Sequence, residues 1–285
     1  MVMPFSKVTL LTLSELVRGM RILITGYPKS GNTWACRLIA EAAGCPFNAF
    51  LEDGELRGLW EVGAEGLERP SDFCVVKSHH SIEEITNYCQ SNDKVIYVLR
   101  NPKDVLASAL NYPWPESRLR EFAKKKETYT LWEYLIREIV ALIFWALRFF
   151  APDNSLHLRL LGSILFGNVH GHKWLAKSWG EHLNGIENSD AFVLKYEDLK
   201  RAPIETCARV MDYLELDAGI SQIKRSVDNQ SFEKKKSGFL KNGETEKADF
   251  LSTGKIGGGD HKLKKIERWL IEKRFRAELS KFMYH

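Results

Sequence analysis

Arg21-Ile22-Leu23-Ile24-Thr25-Gly26-Tyr27-Pro28-Lys29-Ser30-Gly31-Asn32-Thr33-Trp34 decides how this chain is to be read. An apolar run reads as a buried strand, a glycine-bounded loop follows, and residues 33–43 read as a helix closed by Gly44 and Pro46. A loop between a strand and a helix N-terminus cradles anions, because its backbone N–H groups point inward and the helix dipole adds positive potential. The spacing Gly26-x-x-x-x-Gly31 meets half of the P-loop pattern. The other half fails: Asn32-Thr33 stands where a Lys-Ser/Thr pair would grip a γ-phosphate and magnesium, and the lysine sits inside the loop as Lys29. The pattern therefore points to an anion site that works without a metal.

Three further apolar runs, at residues 73–77, Lys94–Leu99 and 191–195, read as buried strands. They are rich in Val, Ile and Leu without alternation, as expected when helices cover both faces of a parallel sheet. A helix over Pro102–Leu110 follows the third strand. The expected fold is α/β: one domain over 1–285, with a central parallel sheet flanked by helices and ligands bound beyond the carboxyl ends of the strands. Residues 112–165 read as a helical excursion on the substrate side, 228–262 as a long loop covering the cofactor, and 263–282 as one amphipathic helix.

The strand ends carry the rest of the chemistry. One delivers Arg100, with Ser108 in the helix that follows; the planar guanidinium fork suits a phosphate. No acidic residue stands there to hold Mg²⁺, as a nucleotide kinase would require. Another ends Lys77-Ser78-His79-His80, and a histidine in that place suits a general base. Alternation along an extended chain sends His79 and His80 to opposite faces, so only one of them faces a site at the strand end.

With 285 residues and 44% hydrophobic composition the chain can bury a sizeable core. A net charge of +4 suits an anionic small ligand and falls short of a nucleic-acid binder. The five cysteines are scattered, without metal-ligand spacing, and read as reduced thiols of a cytoplasmic protein. Residues 8–13 make a poor signal peptide, and the apolar run 139–147 is too short to span a bilayer, so no stable membrane insertion is expected. The lysine runs at 124–126 and 234–236 read as solvated faces.

Y-P-K-S-G-x-T-W after the first strand resembles the 5′-phosphosulfate loop of the cytosolic sulfotransferase family, which uses 3′-phosphoadenosine 5′-phosphosulfate (PAPS). R-N-P-K-D-V-x-x-S is similar to that family's 3′-phosphate motif. The resemblance implies that Lys29, Ser30, Gly31, Asn32, Thr33 and Trp34 bind the cofactor. It gives Arg100 and Ser108 to the 3′-phosphate, His79 to the catalytic base with Lys77 assisting it, and Lys29 to the charge that builds on the bridging oxygen as 3′,5′-ADP leaves. Tyr196 of Tyr196-Glu197-Asp198 and Phe232 of Ser231-Phe232 match adenine neighbours. The C-terminal R-K-G-x-x-G-D-W is matched poorly by Gly254-Lys255-Ile256-Gly257-Gly258-Gly259-Asp260-His261: glycine stands for the arginine. Lys255, Ile256 and Gly257 take the cofactor role there, and Gly257 to Gly259 could form a backbone anion nest.

The implied activity is transfer of a sulfuryl group from PAPS to a hydroxyl or amine of a small-molecule acceptor, releasing 3′,5′-ADP without a metal. The implied partner is that acceptor, not nucleic acid; the acceptor's identity and the oligomeric state stay open. A P-loop nucleotide kinase and a non-catalytic phosphoadenosine-binding module are the competing readings.

Overall fold

A computed structural model describes residues 20–59, 63–112, 152–167, 175–245, 248 and 254–283. Six strands form one sheet in the order β3-β2-β4-β1-β5-β6: β1 Arg21–Thr25, β2 Phe47–Glu52, β3 Glu55–Gly58, β4 Cys74–Ser78, β5 Lys94–Leu99 and β6 Phe192–Lys195. All neighbours run parallel except β3, which pairs antiparallel with β2 at the edge. From β1 the chain moves out to β2 and the edge strand β3, comes back through β4 beside β1, then lays β5 and β6 on the other side. β1 thus lies at the point where strand order reverses, the place where ligands collect in open α/β sheets.

The central strands β1, β4 and β5 are buried on both faces, which explains their uninterrupted apolar runs. Ile22, Ile24, Val75, Ile96 and Val98 face α1 (Asn32–Ala43), α6 (Pro203–Leu214) and α7 (Ile220–Asn229). Leu23, Val76, Tyr97 and Leu99 face α3 (Pro102–Leu110), α4 (Pro152–Phe166) and the C-terminal helices α10 (Lys265–Arg274) and α11 (Arg276–Phe282). Between these lie α2 (Ile82–Ile85), α5 (Tyr196–Arg201), α8 (Phe232–Lys241) and α9 (Gly258–Lys262). All five cysteines are free thiols, four of them buried.

The structure extends the sequence reading in three places. β2 and β3 were not expected; they are joined by Asp53-Gly54, whose φ values of 51° and 82° make the primed turn that fits the twist of a two-residue hairpin. The stretch 228–262 is not one long loop, because α8 and α9 lie within it. α8 buries no residue, so its sequence carries no apolar stripe to announce a helix. The expected final helix breaks at Phe275, fully buried with φ −112° and ψ 28°, into α10 and α11. Of the expected helical excursion over 112–165, the described part holds the helix α4, and 113–151 lies outside the described residues. The segments at 8–13, 124–126 and 139–147 also lie outside them. No helix among the described residues is long and apolar enough to cross a membrane.

Candidate active site

The carboxyl ends of β4, β1, β5 and β6 deliver, side by side, His79, the loop 26–34, Arg100 and Tyr196. Two glycines shape the loop. A Cβ on Gly26 would lie 2.4 Å from the Val98 carbonyl oxygen, so the loop could not lie this close to β5 with any side chain there. Gly31 has φ 100°, and a Cβ would lie 2.6 Å from the Tyr196 ring. Gly31 is the N-cap of α1; no side chain caps that helix, and no acidic residue lies in its first turn. The buried Ser30 hydroxyl has no hydrogen-bond partner among the described residues. Uncapped N–H groups, an orphaned hydroxyl and an unneutralised helix dipole together suit a phosphate group.

Lys29 adopts φ 71°, unusual for a residue with a Cβ, and its ammonium lies 4.0 Å from the centre of the Tyr112 ring. The Lys29 carbonyl accepts a hydrogen bond from Arg100 Nη1 at 3.0 Å.

His79 is partly exposed at the end of β4, facing the loop. Its Nδ1 lies 3.2 Å from the Gly26 carbonyl oxygen and 3.0 Å from Asn32 Nδ2, which itself donates to that carbonyl at 2.7 Å. Nδ1 can accept from the Asn32 amide or donate to the Gly26 carbonyl according to the tautomer, and the tautomer protonated on Nδ1 leaves Nε2 with the lone pair a base needs. Burial, then the nearby positive charge of Lys77, hold the imidazole well below its usual pKa, so it is neutral at physiological pH. Lys77 is buried on β4, with its ammonium 5.5 Å from the Phe50 ring centre. His80 is engaged elsewhere: its Nδ1 lies 2.7 Å from Ser78 Oγ and its ring 5.1 Å from that of Tyr88.

On the other side, the buried Arg100 guanidinium sits 4.1 Å from the Tyr196 ring centre. It donates to the Lys255 carbonyl at 3.3 Å, and its Nε has no partner among the described residues. Ser108 is buried on the later half of α3. Trp34 lies edge-to-face with Tyr196 at 5.7 Å and with Phe232 at 5.8 Å, forming an aromatic corner. Its indole N–H donates to the Gln230 carbonyl at 2.9 Å, which ties α1 to the start of α8.

The C-terminal loop departs from expectation. The N–H groups of Gly257 and Gly259 do converge on a carboxylate, but it is the chain's own Asp104, at 2.8 Å each. The nest expected for a ligand anion is therefore filled from within. Lys255 and Ile256 precede it, and Lys255 meets the site through its carbonyl. Gly254 has φ 57°, and a Cβ there would lie 2.8 Å from the Phe232 ring, so an arginine does not fit at this position.

Several contributors were not singled out in the sequence. Glu197 accepts the Asn101 N–H at 3.1 Å, and burial raises its pKa. Asp104 anchors the glycine loop. Trp179 and His182 lie beneath the strand ends; their only sequence signal is the Ser178-x-x-Glu181 spacing of a capping box. No cluster of three or more His, Cys, Asp or Glu that could hold a metal ion occurs among the described residues.

Comparison with known proteins places this site in context. A family model described as the sulfotransferase domain matches residues 20–282. Mouse sulfotransferase 2A2 is 25% identical over 251 residues, 84% of this chain and 74% of the relative. Human sulfotransferase 2A1 is 23% identical over 246 residues, 83% and 73% of the two chains. Among solved structures, mouse sulfotransferase SULT7A1 complexed with PAP shares the fold with a TM-score of 0.58 at 18% identity, covering 92% of this chain and 86% of that one. Retinol dehydratase in a complex with retinol and PAP gives a TM-score of 0.56 at 14% identity, covering 93% and 82%.

Proposed function

This chain belongs to the sulfotransferase family, and from that premise we propose that it moves a sulfuryl group from PAPS to a hydroxyl or amine of a small acceptor. The observation that carries the reading is the strand-end arrangement around the loop 26–34. Lys29 lies inside the loop, Arg100 bridges its carbonyl from one neighbouring strand, and His79 faces it from the other. The fit is supported by the uncapped N-terminus of α1, the orphaned Ser30 hydroxyl and the orphaned Nε of Arg100.

In this reading, the N–H groups of residues 30–33 hold the 5′-phosphate, and Arg100 with Ser108 holds the 3′-phosphate. Trp34, Tyr196 and Phe232 flank the adenine. His79 Nε2 takes the proton of the acceptor O–H or N–H as that atom bonds to sulfur. Lys29 neutralises the charge left on the bridging oxygen as its bond to sulfur breaks and 3′,5′-ADP departs. Lys77 keeps His79 neutral, hence ready to accept a proton. In-line positioning and charge stabilisation supply most of the acceleration in transfers of this kind.

The glycine positions support a register of the C-terminal motif two residues from the one read in the sequence. Gly254 and Gly257, both at positive φ, then supply its G-x-x-G. Ser252 and Thr253, outside the described residues, stand for its Arg-Lys pair. In either register no arginine from this segment reaches the 3′-phosphate, and Arg100 carries more of that charge.

The test is transfer of radiolabelled sulfate from PAPS to a library of hydroxyl and amine acceptors, with and without EDTA. Transfer that survives EDTA and falls about 10²–10⁴-fold in His79→Ala supports the reading. Mg²⁺-dependent phosphate transfer from ATP would support a kinase instead, and 3′,5′-ADP binding without any transfer would support a non-catalytic module.

A further inference from the structure

We propose that Trp179 and His182 are positioning residues that separately set the placement of Arg100 and His79. Both lie in Ser178-Trp179-Gly180-Glu181-His182, a tight turn crossing beneath the carboxyl ends of β4 and β5. Reciprocal bonds fix the turn locally: Ser178 N–H donates to Glu181 Oε2 at 2.7 Å, and Glu181 N–H to Ser178 Oγ at 3.2 Å. Gly180 lets the turn press on α11 and its approach, since a Cβ there would lie 3.1 Å from the Phe275 ring and 3.0 Å from Glu278 Oε1.

From this turn two buried ring N–H groups reach the backbone of the site. The Trp179 indole, fully buried against Phe275, donates to the Arg100 carbonyl at 3.2 Å. His182, also buried, presents Nε2 to the His79 carbonyl at 3.0 Å. A carbonyl only accepts, so Nε2 carries the proton, and Nδ1 accepts from the Tyr97 hydroxyl at 2.7 Å. The His182 ring also lies edge-to-face with Tyr27, the residue that opens the phosphate loop, at 5.4 Å. One imidazole therefore fixes the backbone of the base and packs on the loop opposite it. Both residues follow sharp strand ends, where the ladder no longer holds their carbonyls. Without these donors the carbonyls would be buried and unpaired, and the strand ends would shift to find partners.

The inference rests on the sulfotransferase reading above, in which His79 serves turnover and Arg100 serves nucleotide binding. The two donors should therefore separate kinetically. His182→Phe keeps a planar ring and loses the N–H; kcat should fall about 10- to 100-fold with 3′,5′-ADP affinity nearly unchanged, the size of effect a small misplacement produces. His182→Gln, which restores an N–H donor, should recover most of that loss. Trp179→Phe keeps the contact with Phe275; ADP affinity by calorimetry should weaken about 5- to 20-fold while kcat at saturation changes little. Thermal unfolding confirms that each variant is folded, and His79→Ala and Arg100→Ala are measured alongside. The proposal is overturned if His182→Phe keeps its kcat where His79→Ala loses it, if His182→Gln fails to recover, or if both donors' variants lose kcat and affinity in parallel. If His79→Ala itself keeps normal turnover, the base assignment falls, and the His182 half of the proposal falls with it.

Discussion

Asp104 Oδ1 accepts the backbone N–H of Gly259 at 2.8 Å, while its second oxygen takes that of Gly257. A carboxylate from the helix after Arg100 thus pins the loop that brings the Lys255 carbonyl to Arg100. Gly259 must be a glycine for this contact, since a Cβ would lie 2.5 Å from the Lys103 backbone. Asp104→Ala leaves two N–H groups without their acceptor, at a cost of about 1–3 kcal/mol. The loss should show as a lower urea midpoint and as weaker 3′,5′-ADP binding by calorimetry. Unchanged ADP affinity in a destabilised variant would mean that this loop does not border the nucleotide.

Gly31→Ala tests the cradle itself. The substitution puts a Cβ at φ 100° and 2.6 Å from the Tyr196 ring, so both the backbone and the ring must move. Strain of this kind costs on the order of 1–3 kcal/mol. Nucleotide binding should be lost more completely than stability, because the N–H groups of the loop and the aromatic corner shift together. A variant that binds 3′,5′-ADP normally would place the phosphate elsewhere.

The Arg100–Tyr196 contact gives a third expectation. With the guanidinium carbon 4.1 Å from the ring centre, the pair should contribute about 0.5–2 kcal/mol. Tyr196→Leu removes the ring yet keeps an apolar wall, so 3′,5′-ADP affinity should fall about 2- to 30-fold. In an Arg100→Ala background the same substitution should cost less. Equal losses in the two backgrounds would show that the two side chains act independently.

What could be read from the sequence was whatever depends on local rules. The loop from Gly26 to Trp34, the strands β1 and β5, and α3 follow from apolar runs, Gly and Pro placement, and capping residues. The opposite engagement of His79 and His80 follows from the alternation of an extended chain: one ring meets Gly26, the other Ser78 and Tyr88. The hairpin at Asp53-Gly54 has a turn signal, but β3 is a charged, largely exposed edge with no apolar run to mark it as a strand. α8 gave no periodic signal, since it buries nothing. The roles of Asp104, Trp179 and His182 are not legible locally, because their partners are backbone groups 79 to 155 residues away in sequence, brought together by the sheet and its helices.

The two histidines of lowered pKa predict how stability responds to acid. Burial pushes the His182 imidazole down to about 4, and His79 is also held well below its usual value. In the unfolded chain both return to about 6.5. As pH falls through 6.5 the unfolded chain therefore binds protons that the folded protein refuses, and stability declines with pH. For His182 the decline is complete near pH 4 and amounts to about 3 kcal/mol; above pH 6.5 the group contributes no pH dependence. Urea unfolding of the wild type and of His182→Gln, compared at intervals from pH 7.5 to 4.5, isolates this part, because the carboxylates titrate alike in both. The wild-type curve should fall more steeply than that of the variant below pH 6.5. Parallel curves would show that His182 is not held neutral. With His79 as the proposed base, turnover should follow the same sign: the acid limb of kcat/KM should lie below pH 6.5, because a base of lowered pKa stays unprotonated there.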